Sequence, residues 1–414
     1  MAQTDLSLRL ETFLKGNLPE YLDMLRQMVN INSFTTNRDG VNALAELTGA
    51  MFQDLGFTAE TVDSLDPQFG RHLVMTRHGS SGRKIGLVSH LDTVFPPEEE
   101  IRNEFAWRPE GDRIFGPGTV DIKGGTVQMY MVLAALHAFR PELYDEITWV
   151  LLLDASEEVN GEHFGALCRE RLEGPETLAC LIFEGGRHVD GGFLLVRARK
   201  GMAIYEVNVE GKAAHAGTSH KQGANAIVQL AEVIQKLAAI TDYGRQVTVN
   251  VGHVSGGTVT NRVPHQAHAR LEMRTFEPEI YEAVMAEIES LDGYSSITSA
   301  DGDAYACRTQ VKLVRKTAPW PPNEATDRLI EIWQQAALEL GCQVQPEERG
   351  GLSDGNNFWD TIPTVDGMGV SGNNAHCSER AADGSKEQEY CEISSFVPKA
   401  VLNVMGIILL AGGE

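Results

Sequence analysis

The sequence predicts an α/β protein in which a mostly parallel sheet is interrupted by an inserted α+β domain. Short apolar segments alternate with amphipathic helical segments in the first part of the chain, which is typical of a parallel sheet covered on both faces. From about Arg197 the predicted elements follow the order β-α-β-β-α-β, which is the ferredoxin-like arrangement. We therefore expect residues 1–197 and 317–414 to form one domain, and residues 198–316 to form a second domain inserted into it.

The composition argues against nucleic acid or a membrane as a partner. A chain of 414 residues exceeds one ordinary hydrophobic core, which agrees with two domains. The net charge of -23 disfavours nucleic acids and anionic membranes, because both favour clustered Lys and Arg. The 6 cysteines show no C-x-x-C spacing, so we expect reduced thiols. We find no signal-peptide pattern and no apolar run of membrane-spanning length, and expect a soluble, cytoplasmic protein.

The first part of the chain begins with helical spacing of apolar residues and continues with strands. The third predicted helix is followed by Gly56, a residue suited to the left-handed conformation of a helix C-terminus. In order, the predicted elements are helices 6–14, 21–29 and 41–55, strands 73–77 and 84–89, helix 124–138, strand 147–154, helix 163–172 and strand 180–184.

The inserted domain and the last part of the chain are separated by Trp320-Pro321-Pro322, where proline disfavours regular structure. The predicted elements of the inserted domain are strand 202–210, helix 224–240, strands 246–255 and 266–275, helix 279–291 and strand 309–316. After the prolines we predict helix 327–340, short strands near Val344 and Thr364, and a final helix 396–410.

A histidine and an aspartate follow a buried strand in the segment Gly86 to Asp92. His90 and Asp92 lie where the strand opens into a loop, and side chains two positions apart point to the same side. We therefore expect the Asp92 carboxylate to accept an imidazole N–H of His90, which orients a metal-binding histidine.

Further acidic side chains follow other predicted strands. Glu157 and Glu158 come after an apolar strand, and Glu184 comes after the next one, where open α/β folds place their sites. Asp121 lies in a glycine-rich loop that lacks the Walker spacing of a phosphate-binding loop. With His376 in a polar loop near the C-terminus, these residues favour Zn²⁺ or another divalent first-row metal, and a bridging acid would allow two ions.

These motifs, in this order, resemble the M20 family of metallopeptidases, most closely its carboxypeptidase G2-like branch. The resemblance implies a dinuclear-metal catalytic domain with an inserted lid. It implies that Asp92 orients His90, that Glu157 is the general base, and that a cis peptide bond follows Asp121. The implied metal ligands are His90, Asp121 as the bridge, Glu158, Glu184 and His376.

The resemblance extends to the inserted lid. Gly211 to Gly217 is similar to a family segment whose histidine, here His215, would reach the active site of the partner in a homodimer formed through the lid. Asn261 matches the asparagine of a family turn, and Arg274 matches an arginine that holds the substrate carboxylate. The loop with Gly351 and Ser353 resembles one that binds the same carboxylate. The carboxypeptidase branch has another arginine close to the end of the lid. In this sequence Arg315 and Lys316 lie only approximately at that position.

The resemblance implies a hydrolase with two divalent ions, most simply Zn²⁺, with Co²⁺ or Mn²⁺ as alternatives. The expected substrate is a small peptide or N-acyl amino acid, cleaved at an amide bond next to a free carboxylate. An aminoacylase, deacetylase or dipeptidase of the same family is an alternative, as is a catalytically silent metal-binding dimer. The presence of Glu157 argues against the silent protein, because a metal binder needs ligands but no base.

Overall fold

The computed structural model describes residues 5–159, 161–189, 191–302 and 304–412. The helices are α1 (Asp5–Val29), α2 (Arg38–Met51), α3 (Pro97–Arg102), α4 (Gly124–Phe139), α5 (Pro141–Glu146), α6 (Glu162–Leu172), α7 (Ala226–Ala239), α8 (Pro278–Glu289), α9 (Glu324–Leu340) and α10 (Ile393–Leu410). Shorter helical turns lie at Gln53–Leu55, Thr119–Lys123, His220–Gln222 and Asp354–Asn357.

The strands are β1 (Thr58–Asp63), β2 (Arg71–Arg77), β3 (Lys84–His90), β4 (Arg108–Glu110), β5 (Arg113–Phe115), β6 (Thr148–Asp154), β7 (Thr177–Ile182), β8 (Arg187–Val189), β9 (Gly192–Arg199), β10 (Gly201–Glu210), β11 (Thr248–Gly256), β12 (Gln266–Thr275), β13 (Arg308–Thr317), β14 (Gln343–Arg349), β15 (Thr364–Val365), β16 (Gly372–Asn373) and β17 (Tyr390–Glu392).

The chain divides into two compact units. The first unit comprises Met1–Arg197, Pro322–Glu348 and Ser353–Glu414, and the second comprises Ala198–Pro321 with the short segment Arg349–Leu352. Each unit has its own hydrophobic core.

The first unit is built on a six-stranded sheet with the order β1-β2-β6-β3-β7-β15. The pairs β6/β3, β3/β7 and β7/β15 are parallel, whereas β1/β2 and β2/β6 are antiparallel. Six of the seven residues of β3 and of β6 are buried, because helices cover both faces of these central strands. The prediction of a mostly parallel α/β sheet is confirmed. Since β3, β6 and β7 are parallel, their carboxyl ends lie at one edge.

The last helix, α10, lies in the core of the first unit. By length and composition alone, Ile393–Leu410 could span a membrane, which corrects the expectation that no apolar run is long enough. However, 72% of this segment is buried within the folded chain, as is typical of a core helix.

The second unit is the expected ferredoxin-like domain. Its sheet has the order β11-β12-β10-β13, and all three neighbouring pairs are antiparallel. Helix α7 is preceded by the N-cap residue Asn225, whose side chain accepts hydrogen bonds from the N–H groups of Ile227 and Val228. Its buried residues Leu230, Val233 and Leu237 follow helical spacing and join the core of this unit.

Helix α1 and strand β1 are among the parts of the fold that differ from the sequence prediction. The first two predicted helices form the single helix α1, which continues through Pro19. Leu14 and Tyr21 are both buried, and seven residues correspond to two helical turns, so they continue one apolar face. The edge strand β1 was not predicted, because five of its six residues are exposed and show no apolar alternation.

Candidate metal centre

Several predicted site residues of the first unit lie at the carboxyl ends of three parallel strands. His90 is the last residue of β3 and lies opposite Asp154, the last residue of β6. Glu157 and Glu158 follow β6, and Glu184 follows β7, which ends at Ile182. The sheet topology therefore delivers the histidine and the acids to one edge.

His90, Asp121 and Glu184 form a first group of potential metal ligands. The Nε2 atom of His90 lies 3.0 Å from Oδ1 of Asp121 and 3.8 Å from Oε1 of Glu184. One ligand atom from each of the three residues lies within 4.8 Å of the others. One imidazole nitrogen and two carboxylates at this spacing suit a divalent cation.

Asp121, Glu158 and His376 form a second group. The Nε2 atom of His376 lies 3.2 Å from Oδ2 of Asp121 and 3.2 Å from Oε2 of Glu158. Asp121 therefore belongs to both groups, with Oδ1 towards His90 and Oδ2 towards His376. A carboxylate shared in this way fits a bridging ligand between two divalent ions.

The charges of the two groups are strongly coupled. Hydrogen bonds to Asp121 and Glu158 raise the pKa of His376 to about 11. Burial alone would lower the pKa of His90, but its contacts with Asp121 and Asp92 raise it well above the usual value. Burial would raise the pKa of Asp121, yet the hydrogen bonds from both histidines hold it below its usual range. The negative field that keeps protons on two imidazoles also favours metal cations in their place.

The carboxylate of Asp92 holds the loop that carries the two glutamates. Its Oδ1 accepts the backbone N–H of Glu157 (3.1 Å), and its Oδ2 accepts the backbone N–H of Glu158 (3.3 Å) and the hydroxyl of Thr35 (2.7 Å). The Nδ1 atom of His90 lies 3.0 Å from the backbone carbonyl of Asp92 and 3.5 Å from its carboxylate. For an N–H at Nδ1 of His90, the nearer acceptor is therefore the backbone carbonyl of Asp92 and not its carboxylate. The carboxylate is engaged by three other donors.

Glu157 lies beside the two ligand groups but belongs to neither. Burial raises the pKa of its carboxyl well above the usual value, and the carboxylates of Glu184, Glu158 and Asp121 raise it further, against the effect of His90. A carboxyl group with a raised pKa near a candidate metal site is suited to exchange protons near neutral pH.

The glycine-rich loop brings Asp121 between the groups. Gly118 has a φ of 75°, a left-handed conformation that glycine adopts without a steric penalty. A side chain at Gly125 would meet the carbonyl oxygen of Phe183 at 2.0 Å, so glycine lets α4 begin against the segment that carries Glu184. The peptide bond between Asp121 and Ile122 is cis, as the resemblance implied.

Comparison with known proteins relates the chain to the M20 peptidases. Residues 197–291 match the model of the M20 peptidase dimerisation domain. The whole chain is 26% identical over 398 residues to carboxypeptidase G2 of Pseudomonas sp. (strain RS-16), in an alignment covering 96% of this chain and 90% of that protein. The chain carries an M20 peptidase dimerisation domain.

Several solved structures share this fold, and two of them illustrate the likeness. Aminopeptidase PepT from Bacillus cereus ATCC 10987 superposes with a TM-score of 0.74 at 23% identity, covering 95% of this chain and 99% of that one. The Bacillus subtilis YXEP protein, a dinuclear metal-binding peptidase from the M20 family, superposes with a TM-score of 0.63 at 16% identity, covering 96% and 99%. At these identities the likeness establishes the fold. The dimerisation-domain match and the alignment with carboxypeptidase G2 together indicate a hydrolase of the metallopeptidase and amidohydrolase class.

Two of the predicted M20 lid residues lie side by side in the second unit. The backbone N–H of Ala216 donates to the carbonyl of Asn261, which places this exposed residue next to the loop of His215. The exposed His215 accepts hydrogen bonds at Nδ1 from the N–H groups of Gly217 and Thr218, both at 3.1 Å. The neutral imidazole therefore carries its proton on Nε2, which makes Nε2 a hydrogen-bond donor.

The other predicted substrate-binding residues are engaged within their own units. In the second unit, Arg274 pairs with Glu272 (3.1 Å) and donates to the carbonyl of Gly350 (3.2 Å), and the neighbouring carbonyl of Gly351 accepts from Arg199 (3.1 Å). In the first unit, the hydroxyl of the buried Ser353 donates to Asp366 (2.9 Å). Their predicted role at the substrate carboxylate stays a prediction.

Sequence reasoning missed two residues that support the candidate metal centre. Thr35 donates to Asp92, and Glu389 accepts the N–H groups of Val120 and Asp121. Thr35 stands in an unpatterned loop, and Glu389 is one of three acids within six residues, so neither carries a sequence signal of its own. Only the fold brings them to the ligands.

Proposed function

We propose that this M20 protein is a zinc-dependent hydrolase that cleaves an amide or peptide bond next to a free carboxylate, in the manner of a carboxypeptidase. The observation that carries the proposal is the shared carboxylate of Asp121, which joins two histidine–carboxylate groups while Glu157 lies outside both. Ligands alone would suffice for a metal-binding protein, whereas a separate, half-buried acid supplies the proton transfer that hydrolysis requires.

The first ion would be held by His90, Asp121 and Glu184, and the second by Asp121, Glu158 and His376. Imidazole and carboxylate ligands suit Zn²⁺, and Co²⁺ or Mn²⁺ can occupy the same donor set. When bound, such ions supply Lewis acidity towards a carbonyl and lower the pKa of water.

The side chains of the chain supply the remaining steps. Glu157 would take a proton from the attacking water and deliver it to the leaving amine, and the hydrogen bond from its N–H to Asp92 fixes its backbone. The Nε2 donor of His215, with Asn261, would stabilise the negative charge that develops on the carbonyl oxygen. Arg274, Gly351 and Ser353 are proposed to bind the substrate carboxylate, with Ser353 exchanging its contact with Asp366.

The substrate class is proposed to be a small peptide or an N-acyl amino acid. The alignment with carboxypeptidase G2 over nearly the whole chain supports carboxypeptidase-like cleavage. A deacetylase of the same class is the second candidate, because acetylornithine deacetylase of Erwinia tasmaniensis aligns over 63% of this chain. The M20 dimerisation domain supports a homodimer formed through the second unit.

The proposal is tested with pairs of substrates that differ only at the free carboxylate. Purified protein loaded with Zn²⁺, Co²⁺ or Mn²⁺ is assayed with N-acyl amino acids and dipeptides, and with the same compounds as C-terminal amides. We expect metal-dependent cleavage of the free acids and little cleavage of the amides. Equal cleavage of both would contradict the carboxylate requirement, and preference for N-acetyl over N-peptidyl substrates would favour the deacetylase.

A further inference from the structure

Glu389 is a fully buried carboxyl group directly behind the shared ligand Asp121. Its Oε1 accepts hydrogen bonds from the backbone N–H of Val120 (3.0 Å) and of Asp121 (3.2 Å), and its exposed fraction is 0%. One side-chain oxygen thus holds both peptide groups that set the position of Asp121.

The main chain of Glu389 is attached to both ligand-bearing loops. Its N–H donates to the carbonyl of Cys377 (2.8 Å), which follows His376, and its carbonyl accepts the N–H of Gly116 (3.3 Å), which begins the glycine-rich loop. The next residue, Tyr390, begins β17, which pairs with β5 on one side and β16 on the other. Glu389 therefore joins the loop of Asp121 to the loop of His376.

The carboxyl group of Glu389 is costly to bury. Its Oε2 has no hydrogen-bond partner among the described residues. A buried polar atom without a partner is unfavourable, so an apolar side chain would serve better if Glu389 only filled space. What the carboxyl group contributes here is an acceptor for the N–H groups of Val120 and Asp121.

We propose that Glu389 is a positioning residue that fixes Asp121 between the two metal ions and ties it to His376. The inference rests on the proposed dinuclear site. Groups that orient metal ligands typically contribute about 10–100-fold to metal affinity. Since Asp121 belongs to both ligand groups, the loss of Glu389 weakens both ions together.

The test measures metal affinity rather than turnover. Metal-free full-length protein is titrated with Zn²⁺ and Co²⁺ against a chromophoric chelator for the wild type, Glu389→Ala, Glu389→Gln and Glu389→Asp. We expect Glu389→Ala to weaken both ions by about 10–100-fold. Glu389→Gln keeps a carbonyl acceptor of the same reach and should bind metal nearly as well as the wild type. Glu389→Asp is one methylene too short and should resemble the alanine variant.

Gln388→Ala is the matched control. Gln388 is adjacent and equally buried, but its side chain bonds Arg108, Asn103 and Ser378 instead of the Asp121 loop. We expect it to lose thermal stability and keep its metal affinity.

The proposal is overturned if Glu389→Ala binds metal like the wild type, or if Gln388→Ala loses as much affinity. If Glu389→Ala does not fold, Glu389→Asp and Glu389→Gln decide, and equal affinities of these two would overturn it. Failure of the wild type to bind two ions would instead contradict the proposed function.

Discussion

The Oδ1 atom of Asp92 accepts a hydrogen bond from the backbone N–H of Glu157 at 3.1 Å. This bond connects the loop after β3, which carries the ligand His90, with the loop after β6, which carries the proposed base. The other oxygen of Asp92 accepts the N–H of Glu158 and the hydroxyl of Thr35, so three donors meet one buried carboxylate. Asp92 thus fixes a ligand and the base together.

Asp92→Asn should therefore lower both stability and turnover. An amide offers one acceptor oxygen, and its NH₂ group would face an N–H or O–H donor. A buried donor left without an acceptor costs about 1–3 kcal/mol. We expect this loss in the free energy of unfolding, measured in urea, with a fall in kcat. Thr35→Ser keeps the hydroxyl and serves as the control, and wild-type stability and kcat in Asp92→Asn would contradict the assignment.

Much of this centre could be predicted because its ligands follow apolar strands. His90 and Glu184 each follow a segment that reads as a buried strand, and parallel pairing carries both to one sheet edge. The position of Asp121 between two groups needed the family resemblance, since a glycine-rich loop alone does not reveal its conformation.

The supporting residues could not be predicted, because their partners are distant in the chain. Thr35 meets Asp92 across 57 positions, and Glu389 meets Val120 across 269. A local pattern in the sequence cannot reveal contacts between residues so far apart in the chain. The exposed edge strand β1 was missed for a different reason, since its pairing with β2 requires no apolar pattern.

Metal stoichiometry should separate Asp121 from the other acids. Because Asp121 alone is in both groups, Asp121→Ala should lose both ions, whereas Glu184→Ala and Glu158→Ala should each lose chiefly one. Elemental analysis after gel filtration measures the ratio of metal to protein. Two ions retained by Asp121→Ala would show that it does not bridge.

Metal binding should release protons. Hydrogen bonds to Asp121 and Glu158 raise the pKa of His376 to about 11, so its imidazole is protonated in the metal-free protein at neutral pH. A metal binds the neutral imidazole, so binding displaces this proton and the affinity falls as the pH is lowered. Calorimetry in two buffers of different ionisation enthalpy counts the protons released. His376→Ala should release fewer, and equal heats in both buffers for the wild type would contradict the prediction.

Glu157→Gln should keep both ions and lose activity. Glu157 belongs to neither ligand group, and the amide cannot carry a proton from water to the leaving amine. We expect kcat to fall by about 10²–10⁴-fold while the metal content is unchanged. Elemental analysis beside the kinetic assay decides this, since loss of an ion would make Glu157 a ligand.

The last prediction is that His215 acts on the active site of a partner subunit. It is exposed in the single chain, its Nδ1 is engaged by Gly217 and Thr218, and its Nε2 is therefore a donor suited to an oxyanion. It lies in the segment that matches the peptidase dimerisation domain, whereas all five proposed metal ligands lie in the first unit. If two second units pair around a twofold axis, each can present its histidine to the other chain.

Two inactive variants, His215→Ala and Glu157→Ala, are mixed under conditions that exchange subunits. In a mixed dimer, the site of the His215→Ala chain keeps its own base and receives an intact histidine from its neighbour. The other site has neither group. Activity should therefore return to up to about half the wild-type level per dimer, because one of two equivalent sites is restored. Each variant incubated alone is the control, and mass spectrometry of differently tagged chains verifies exchange. If exchange is complete and no activity returns, His215 serves its own chain or takes no part in the reaction.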